Sequence, residues 1–333
     1  MKIYSNNNTF ANARNCCFGN DVGFPETTII VAKVLKKVVL NKMDKKNLKN
    51  IKLSQPISQI INISTQQLPN SDTPRLDAEI LLCHVLKKNR SYLYAWPEKQ
   101  LTKEQYQQFQ TLLASRIEGK PIAYLIGHKE FWSLELQVTK DTLIPRPETE
   151  LLVEQVLARL PLKTSSKVID LGTGTGAIAL AIAKERLHCN IIATDKSSQV
   201  LQIAKNNAKN LALHNIKFIV SDWFAKDLGM ATIIVSNPPY VSIDDPHLTQ
   251  GDVQHEPLSS LISGIDGLTD IRQIILQSYN HLLNKGWLLL EHGYDQAKQV
   301  RDLLTENNYY SIKTYNDLAD QPRVTVGQKI NQS

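Results

Sequence analysis

From residue 167 onward, short apolar runs alternate with stretches of helical period. Strands are predicted at 167–170, 190–195, 216–222, 231–236 and 286–291, with helices ending near 185, 210 and 283 between them. Closing strands are predicted at 310–315 and 323–326. Strands separated by helices of this length imply parallel βαβ units. Upstream, residues 53–125 read as helical. Thr73-Pro74 gives an N-cap and first helical position, followed by Leu76, Ile80, Leu81, His84 and Val85 on one face. Thr102 and Gln105 form a capping box with Leu101 as a staple, and that helix runs through Phe109, Leu112, Leu113 and Ile117 until Gly119 and Pro121 stop it. His84 has no neighbour that suggests a metal or a catalytic partner, so it reads as a helix-face residue.

At 131–138 the period drops to two: Leu134, Leu136 and Val138 face one way, Glu135 and Gln137 the other. This predicts a short hairpin finishing near Ile144-Pro145-Arg146-Pro147. There a helix starts with Glu148 and Glu150 in its first turn, where acids complement the dipole. The chain thus divides into a basic extension (1–50), a helical domain (51–126), a linking hairpin (127–147) and an α/β domain (148–333).

Within the extension, residues 27–40 place Ile30, Val31, Val34, Leu35, Val38 and Val39 opposite Lys33, Lys36 and Lys37. This suits a basic amphipathic helix for a membrane surface or a targeting peptide, or equally sequence upstream of a start at Met43. The segment lacks the arginine and serine richness of a transit peptide. Charge sharpens the division. Residues 1–52 carry ten Lys or Arg against three acids, so of the formal +6 the rest of the chain holds −1. A near-neutral body argues against a broad phosphate-tracking surface. Cys16, Cys17, Cys83 and Cys189 have neither zinc-site spacing nor a disulfide pattern and fit a reducing cytoplasm. No apolar run approaches the ~18 residues that cross a bilayer.

The chemistry lies at strand ends. Asp170-Leu171-Gly172-Thr173-Gly174-Thr175-Gly176 leaves a buried strand and enters a helix, so glycines permit a tight turn and free N–H groups meet a ligand. Its Gly-x-Gly-x-Gly spacing differs from the Gly-x-Gly-x-x-Gly of dinucleotide sites. The next strand ends in Asp195, about 20 residues on, where a carboxylate accepts ribose hydroxyls. The following strand ends in Ser221-Asp222-Trp223, an aromatic platform for a purine with Asp222 beside it. The fourth ends in Asn237-Pro238-Pro239-Tyr240. Taken alone this is a proline turn; with Asn237 Oδ1 and carbonyls left free by two prolines, it is also an acceptor-rich clamp for a planar N–H₂ group.

These residues resemble class I S-adenosylmethionine-dependent methyltransferases that alkylate a planar nitrogen. More narrowly, Arg75-Leu76-Asp77-Ala78-Glu79-Ile80-Leu81-Leu82, Phe131-Trp132-Ser133-Leu134, Ile144 to Glu150, Ser221-Asp222-Trp223 and Leu290-Glu291-His292-Gly293 resemble the release factor glutamine methyltransferase (PrmC/HemK) family. The resemblance runs from about residue 53 to the end. It implies a Rossmann-like sheet and methylation, at the side-chain nitrogen, of the glutamine in the Gly-Gly-Gln loop of peptide chain release factors, with S-adenosyl-L-homocysteine as product and no metal. Gly172, Thr173, Gly174, Thr175, Gly176, Asp195 and Trp223 would bind the cofactor, with Asp222 a weaker candidate. Asn237 would touch cofactor and substrate as the catalytic residue, and Pro238, Pro239 and Tyr240 would hold the glutamine. A ribosomal-protein glutamine, a DNA or RNA adenine, and a non-catalytic binding module are the alternatives. The helical domain is the expected reader of the protein partner, with 241–268 as a second surface whose Asp244, Asp245, Asp252 and Glu256 would meet basic residues or would simply be solvated. No membrane and no direct nucleic-acid partner is expected.

Overall fold

The computed structural model describes residues 51–163 and 165–330, which belong to one compact unit. The helix expected at 27–40, Cys16, Cys17 and Met43 lie outside the described residues.

Five helices come first: α1 (Ile57–Gln66), α2 (Pro74–Leu86), α3 (Arg90–Ala95), α4 (Lys103–Ile117) and α5 (Ile122–Ile126). They enclose a core of their own containing Ile57, Ile60, Leu81, Leu82, Phe109 and Leu113. Each such side chain contributes roughly 1.5–3 kcal/mol on burial. The capping box at Thr102 and Gln105 is formed. Helix α2 departs from its predicted face. It buries Ala78, Leu81, Leu82 and Val85 together with Asp77 and Glu79, while His84 is exposed. The two acids tolerate burial because they are paired. Glu79 accepts from Arg75, Arg90 and Tyr94, and Asp77 accepts from Ser71, Thr73 and Arg116. The Thr73 hydroxyl therefore serves Asp77 rather than capping the helix.

The hairpin pairs β1 (His128–Phe131) with β2 (Leu134–Gln137), starting three residues earlier than the alternation suggested. Its turn residues Trp132 and Ser133 have φ of 53° and 55°, the positive values that match a tight hairpin's twist, here without glycine. The strain is held by carboxylates: Glu150 accepts the Trp132 N–H at 2.8 Å and Glu130 accepts the Ser133 N–H at 2.6 Å.

The seven-stranded sheet comprises β3 (Lys167–Leu171), β4 (Asn190–Asp195), β5 (Ile216–Val220), β6 (Ala231–Ser236), β7 (Leu282–Glu291), β8 (Tyr309–Asn316) and β9 (Pro322–Lys329), in the order β5-β4-β3-β6-β7-β9-β8. Strands β3 to β7 pair in parallel, and β9 runs antiparallel to both its neighbours. Helices α6 (Glu150–Leu157) and α7 (Ala177–Glu185) pack on one face, α9 (Thr269–His281) and α10 (Ala297–Glu306) on the other, and α8 (Ser198–Asn210) follows β4. Strand order reverses between β3 and β6. The crevice outside their carboxyl ends is where an open α/β sheet binds ligands.

Several boundaries differ from prediction by a residue or more, two of them for visible reasons. Strand β5 stops at Val220 because Ser221 Oγ donates to the Trp223 carbonyl and accepts from Lys226 N, closing a turn. Strand β7 starts at Leu282, inside the expected helix. Leu282 is fully buried opposite Ala231, and a register shift through the Lys285-Gly286 segment, with Lys285 at φ 65°, brings Trp287 opposite Ile233.

Candidate active site

A cavity of about 290 Å³ opens over the strand ends, lined among others by Gly172, Gly174, Asp195, Asp222, Trp223, Asn237 and Pro239. The glycine loop forms its floor. Gly172, Gly174 and Gly176 have φ of 69°, 58° and 86°, values that side-chain-bearing residues adopt only at a cost. A Cβ at Gly174 would meet nothing within 4 Å, so backbone is presented directly to the cavity. At Gly176 it would lie 2.9 Å from Leu180 Cδ1, so that glycine serves helix packing. Thr173 turns inward, its hydroxyl donating to Asp170 Oδ2 at 2.6 Å. Burial pushes the Asp170 carboxyl up to about 7 against that hydrogen bond.

Asp195 is oriented by two backbone donors, Gly174 N to Oδ2 at 3.1 Å and Ser197 N to Oδ1 at 2.9 Å. Burial raises its pKa, with both bonds opposing. Trp223, at φ 44°, stands against Gly172, where an added Cβ would lie 3.3 Å from the ring.

At the end of β6, Asn237 Nδ2 donates to Thr149 Oγ1 at 3.1 Å. The amide nitrogen faces Thr149 and Oδ1 is turned away from it. Among the described residues, no hydrogen bond is donated to Asn237 Oδ1 or to the Pro238 carbonyl. The Tyr240 carbonyl is taken by Gln296 Nε2 at 2.9 Å, and its hydroxyl lies 3.4 Å from Glu291 Oε1. A Cβ at Gly267 would sit 2.2 Å from the Tyr240 carbonyl oxygen, so the clamp's backbone is gripped closely from two sides. Of the predicted residues, Gly172, Gly174, Asp195, Trp223, Asn237 and Pro239 thus meet at the cavity. Thr173, Thr175, Gly176, Pro238 and Tyr240 stand behind them.

Several supporting residues escaped sequence reasoning. Asn207, almost wholly buried, donates to the carbonyls of Gln137 and Thr175 and accepts from Gln137 N, tying the hairpin to the glycine loop. Its polar position on a helix face gave no signal. Thr149 and Glu291 did lie in segments of family resemblance, but their roles needed coordinates. Burial raises the Glu291 carboxyl to about 7, with the nearby Arg323 charge opposing. In the 241–268 segment, Arg116 holds Asp252 at 2.5 Å and Arg146 holds the buried Glu256, which also accepts Ile144 N at 3.0 Å. Asp245 pairs with His247. Of the four acids expected to meet a partner or to be solvated, Asp252 and Glu256 are held by arginines of the same chain, and Asp244 is exposed.

The sheet order with its single antiparallel strand β9, and a glycine loop and acid at the ends of β3 and β4, define a class I methyltransferase. Residues 59–127 match the PrmC N-terminal domain model and 147–254 the methyltransferase small domain model. The release factor glutamine methyltransferase of Escherichia coli K12 is 51% identical over 79% of this chain and 95% of its own length. That of Pseudomonas aeruginosa is 48% identical over 80% and 96%. A solved release factor-specific protein-(glutamine-N5) methyltransferase from Alicyclobacillus acidocaldarius aligns with TM-score 0.36 and 25% identity over 56% of this chain and 95% of that one. The chain belongs to the release factor glutamine methyltransferase family.

Proposed function

We propose that this protein transfers a methyl group from S-adenosyl-L-methionine to the side-chain amide nitrogen of the glutamine in the Gly-Gly-Gln motif of peptide chain release factors. The carrying observation is Asn237 at the cavity, whose Nδ2 is turned to Thr149 and whose Oδ1 receives no hydrogen bond among the described residues. The cavity's own residues fit the cofactor: open space over Gly174, a carboxylate at Asp195 and an indole at Trp223. When bound, that group supplies an electrophilic methyl on sulfur and leaves as S-adenosyl-L-homocysteine.

An amide nitrogen is a poor nucleophile because its lone pair is delocalised. Asn237 Oδ1 and the Pro238 carbonyl accept its two N–H bonds, aim the nitrogen and stabilise positive charge as it develops. The proton leaves during or after transfer, so no strong base need act first. Tyr240 and Pro239 shape the slot around the amide plane. The helical segment 51–126 recognises the release factor, and the near-neutral body supports a protein partner over nucleic acid. Among the described residues no helix is long and apolar enough to cross a membrane; the reaction belongs in the cytoplasm, where release factors are made.

Incubation with S-adenosyl-L-methionine and unmodified release factor should add one methyl group to the Gly-Gly-Gln glutamine, located by mass spectrometry. An unmodified factor beside a methylated ribosomal protein or oligonucleotide would reject this reading.

A further inference from the structure

The segment Asn237 to Tyr240 leaves β6 with few means of anchoring its far end. Pro238 and Pro239 have no N–H to donate, and the Pro238 carbonyl is reserved for the substrate amide. The backbone is instead held at the next peptide, Tyr240–Val241, whose two polar groups are both taken. Val241 N donates to the Leu261 carbonyl at 2.8 Å, and the Tyr240 carbonyl accepts from Gln296 Nε2 at 2.9 Å.

Gln296 stands just before α10 at 7% exposure, outside the cavity lining. Its Oε1 accepts Gly293 N at 2.8 Å, and its Nε2 also reaches the Asp266 carbonyl at 3.4 Å. These partners fix the direction of the amide. A backbone N–H only donates and a backbone carbonyl only accepts, so the oxygen belongs on Gly293 and the NH₂ on Tyr240 and Asp266. One side chain thus joins the clamp, the 261–267 segment and the turn after β7. Gly267, at φ 73°, makes room for it: a Cβ there would lie 2.7 Å from Gln296 Nε2. The turn is held from behind as well. Gln296 N donates to the Gly293 carbonyl at 3.0 Å, and buried His292 lies 2.8 Å from that carbonyl through Nδ1 and 2.7 Å from Thr325 Oγ1 on β9 through Nε2.

We propose that Gln296 is a positioning residue for methyl transfer: its NH₂ fixes the Tyr240–Val241 peptide and so keeps Asn237 and the Pro238 carbonyl where the substrate amide meets them. The proposal rests on the methyl-transfer reading above.

The test is steady-state methylation of a release factor by the full chain, with Gln296→Met and Gln296→Glu beside wild type. Gln296→Met keeps the length of the side chain without its donor. It should lower kcat about 10- to 100-fold, the scale of loss when reacting groups shift by an ångström. Affinity for S-adenosyl-L-homocysteine should change little. Gln296→Glu should match Gln296→Met at high pH, where a carboxylate opposes the Tyr240 carbonyl, acceptor against acceptor. As pH falls its new O–H donates in place of the amide, and its rate relative to wild type should rise. Asp295 and the Asp266–Arg272 pair stand beside the turn in every variant, and comparison with wild type at the same pH removes their own contribution.

Wild-type kcat in Gln296→Met, or a Gln296→Glu enzyme no faster than Gln296→Met at any pH, overturns the assignment. Should Gln296→Met not fold, the rise within Gln296→Glu decides alone. Failure of wild type to methylate the factor counts instead against the functional reading. The assignment is then judged by hydrogen exchange: the Tyr240 and Val241 amides, both bonded to the Leu261 carbonyl, should exchange faster in Gln296→Met, or in Gln296→Glu at high pH, while those of 172–176 do not. Equal rates at Tyr240 and Val241 also overturn it.

Discussion

The Trp223 indole nitrogen donates to Asp270 Oδ1 at 3.2 Å, and this bond holds the ring against Gly172 at the wall of the cavity. Asp270 is in turn fixed by Ser263, whose hydroxyl donates to Oδ2 at 2.7 Å. A residue of α9 therefore sets the face that a purine would stack on. Stacking of a base on an aromatic ring is worth about 1–3 kcal/mol. Trp223→Ala should weaken S-adenosyl-L-homocysteine binding by about 10-fold or more in calorimetry. Asp270→Ala should weaken it less, because the ring keeps its packing. Wild-type affinity in Trp223→Ala would remove the ring from the site.

The loop glycines should separate by phenotype. Gly174→Ala pays only its left-handed backbone, about 1 kcal/mol, but points a methyl into ligand space. Gly176→Ala drives a methyl against Leu180 and Ala204 and should cost about 1–3 kcal/mol of stability. Thermal unfolding should rank Gly176→Ala as the less stable variant. Ligand titration should rank Gly174→Ala as the poorer binder relative to its stability.

Asn237→Ala removes one acceptor of the pair and should lower methyl transfer on the order of 10²-fold or more. Circular dichroism should be unchanged, since the lost bond to Thr149 is a single one at the cavity edge. Near-normal turnover measured by mass spectrometry would contradict the assigned role.

The helical core carries its own pH signature. Burial pushes Glu79 up, but hydrogen bonds from Arg90, Tyr94 and Arg75 together hold it below the ordinary carboxylate range. A depressed folded-state value means the stabilisation is present above the unfolded value, about 4.3, and is lost as pH falls through the folded one. Glu79→Gln should lose about 1.5–3 kcal/mol in urea unfolding at pH 7, the scale of hydrogen bonds to a charged group. The gap to wild type should narrow below about pH 4. A gap independent of pH would show that the charge of Glu79 is irrelevant.

Local rules made much of this molecule legible. The Thr102–Gln105 box, the βαβ alternation and the strand ends at Asp170, Asp195 and Asn237 depend on neighbours a few residues away, and they appear where the pattern put them. What failed was long-range. Helix α2 hides Asp77 and Glu79 because Arg116 and Arg90 arrive from other helices, a pairing no periodicity encodes. Strand β7 begins early because Ala231, some fifty residues back, offers Leu282 a buried partner.

The site divides the same way. The sequence by itself determined which groups stand at the strand ends, since a chain leaving a parallel strand must expose its next residues at the crevice. Only the tertiary structure decided how they point. Asn237 can turn its oxygen or its nitrogen to a substrate with equal ease as an isolated side chain. Thr149, 88 residues away, receives the amide nitrogen, and that contact exists only once folding brings the two residues together.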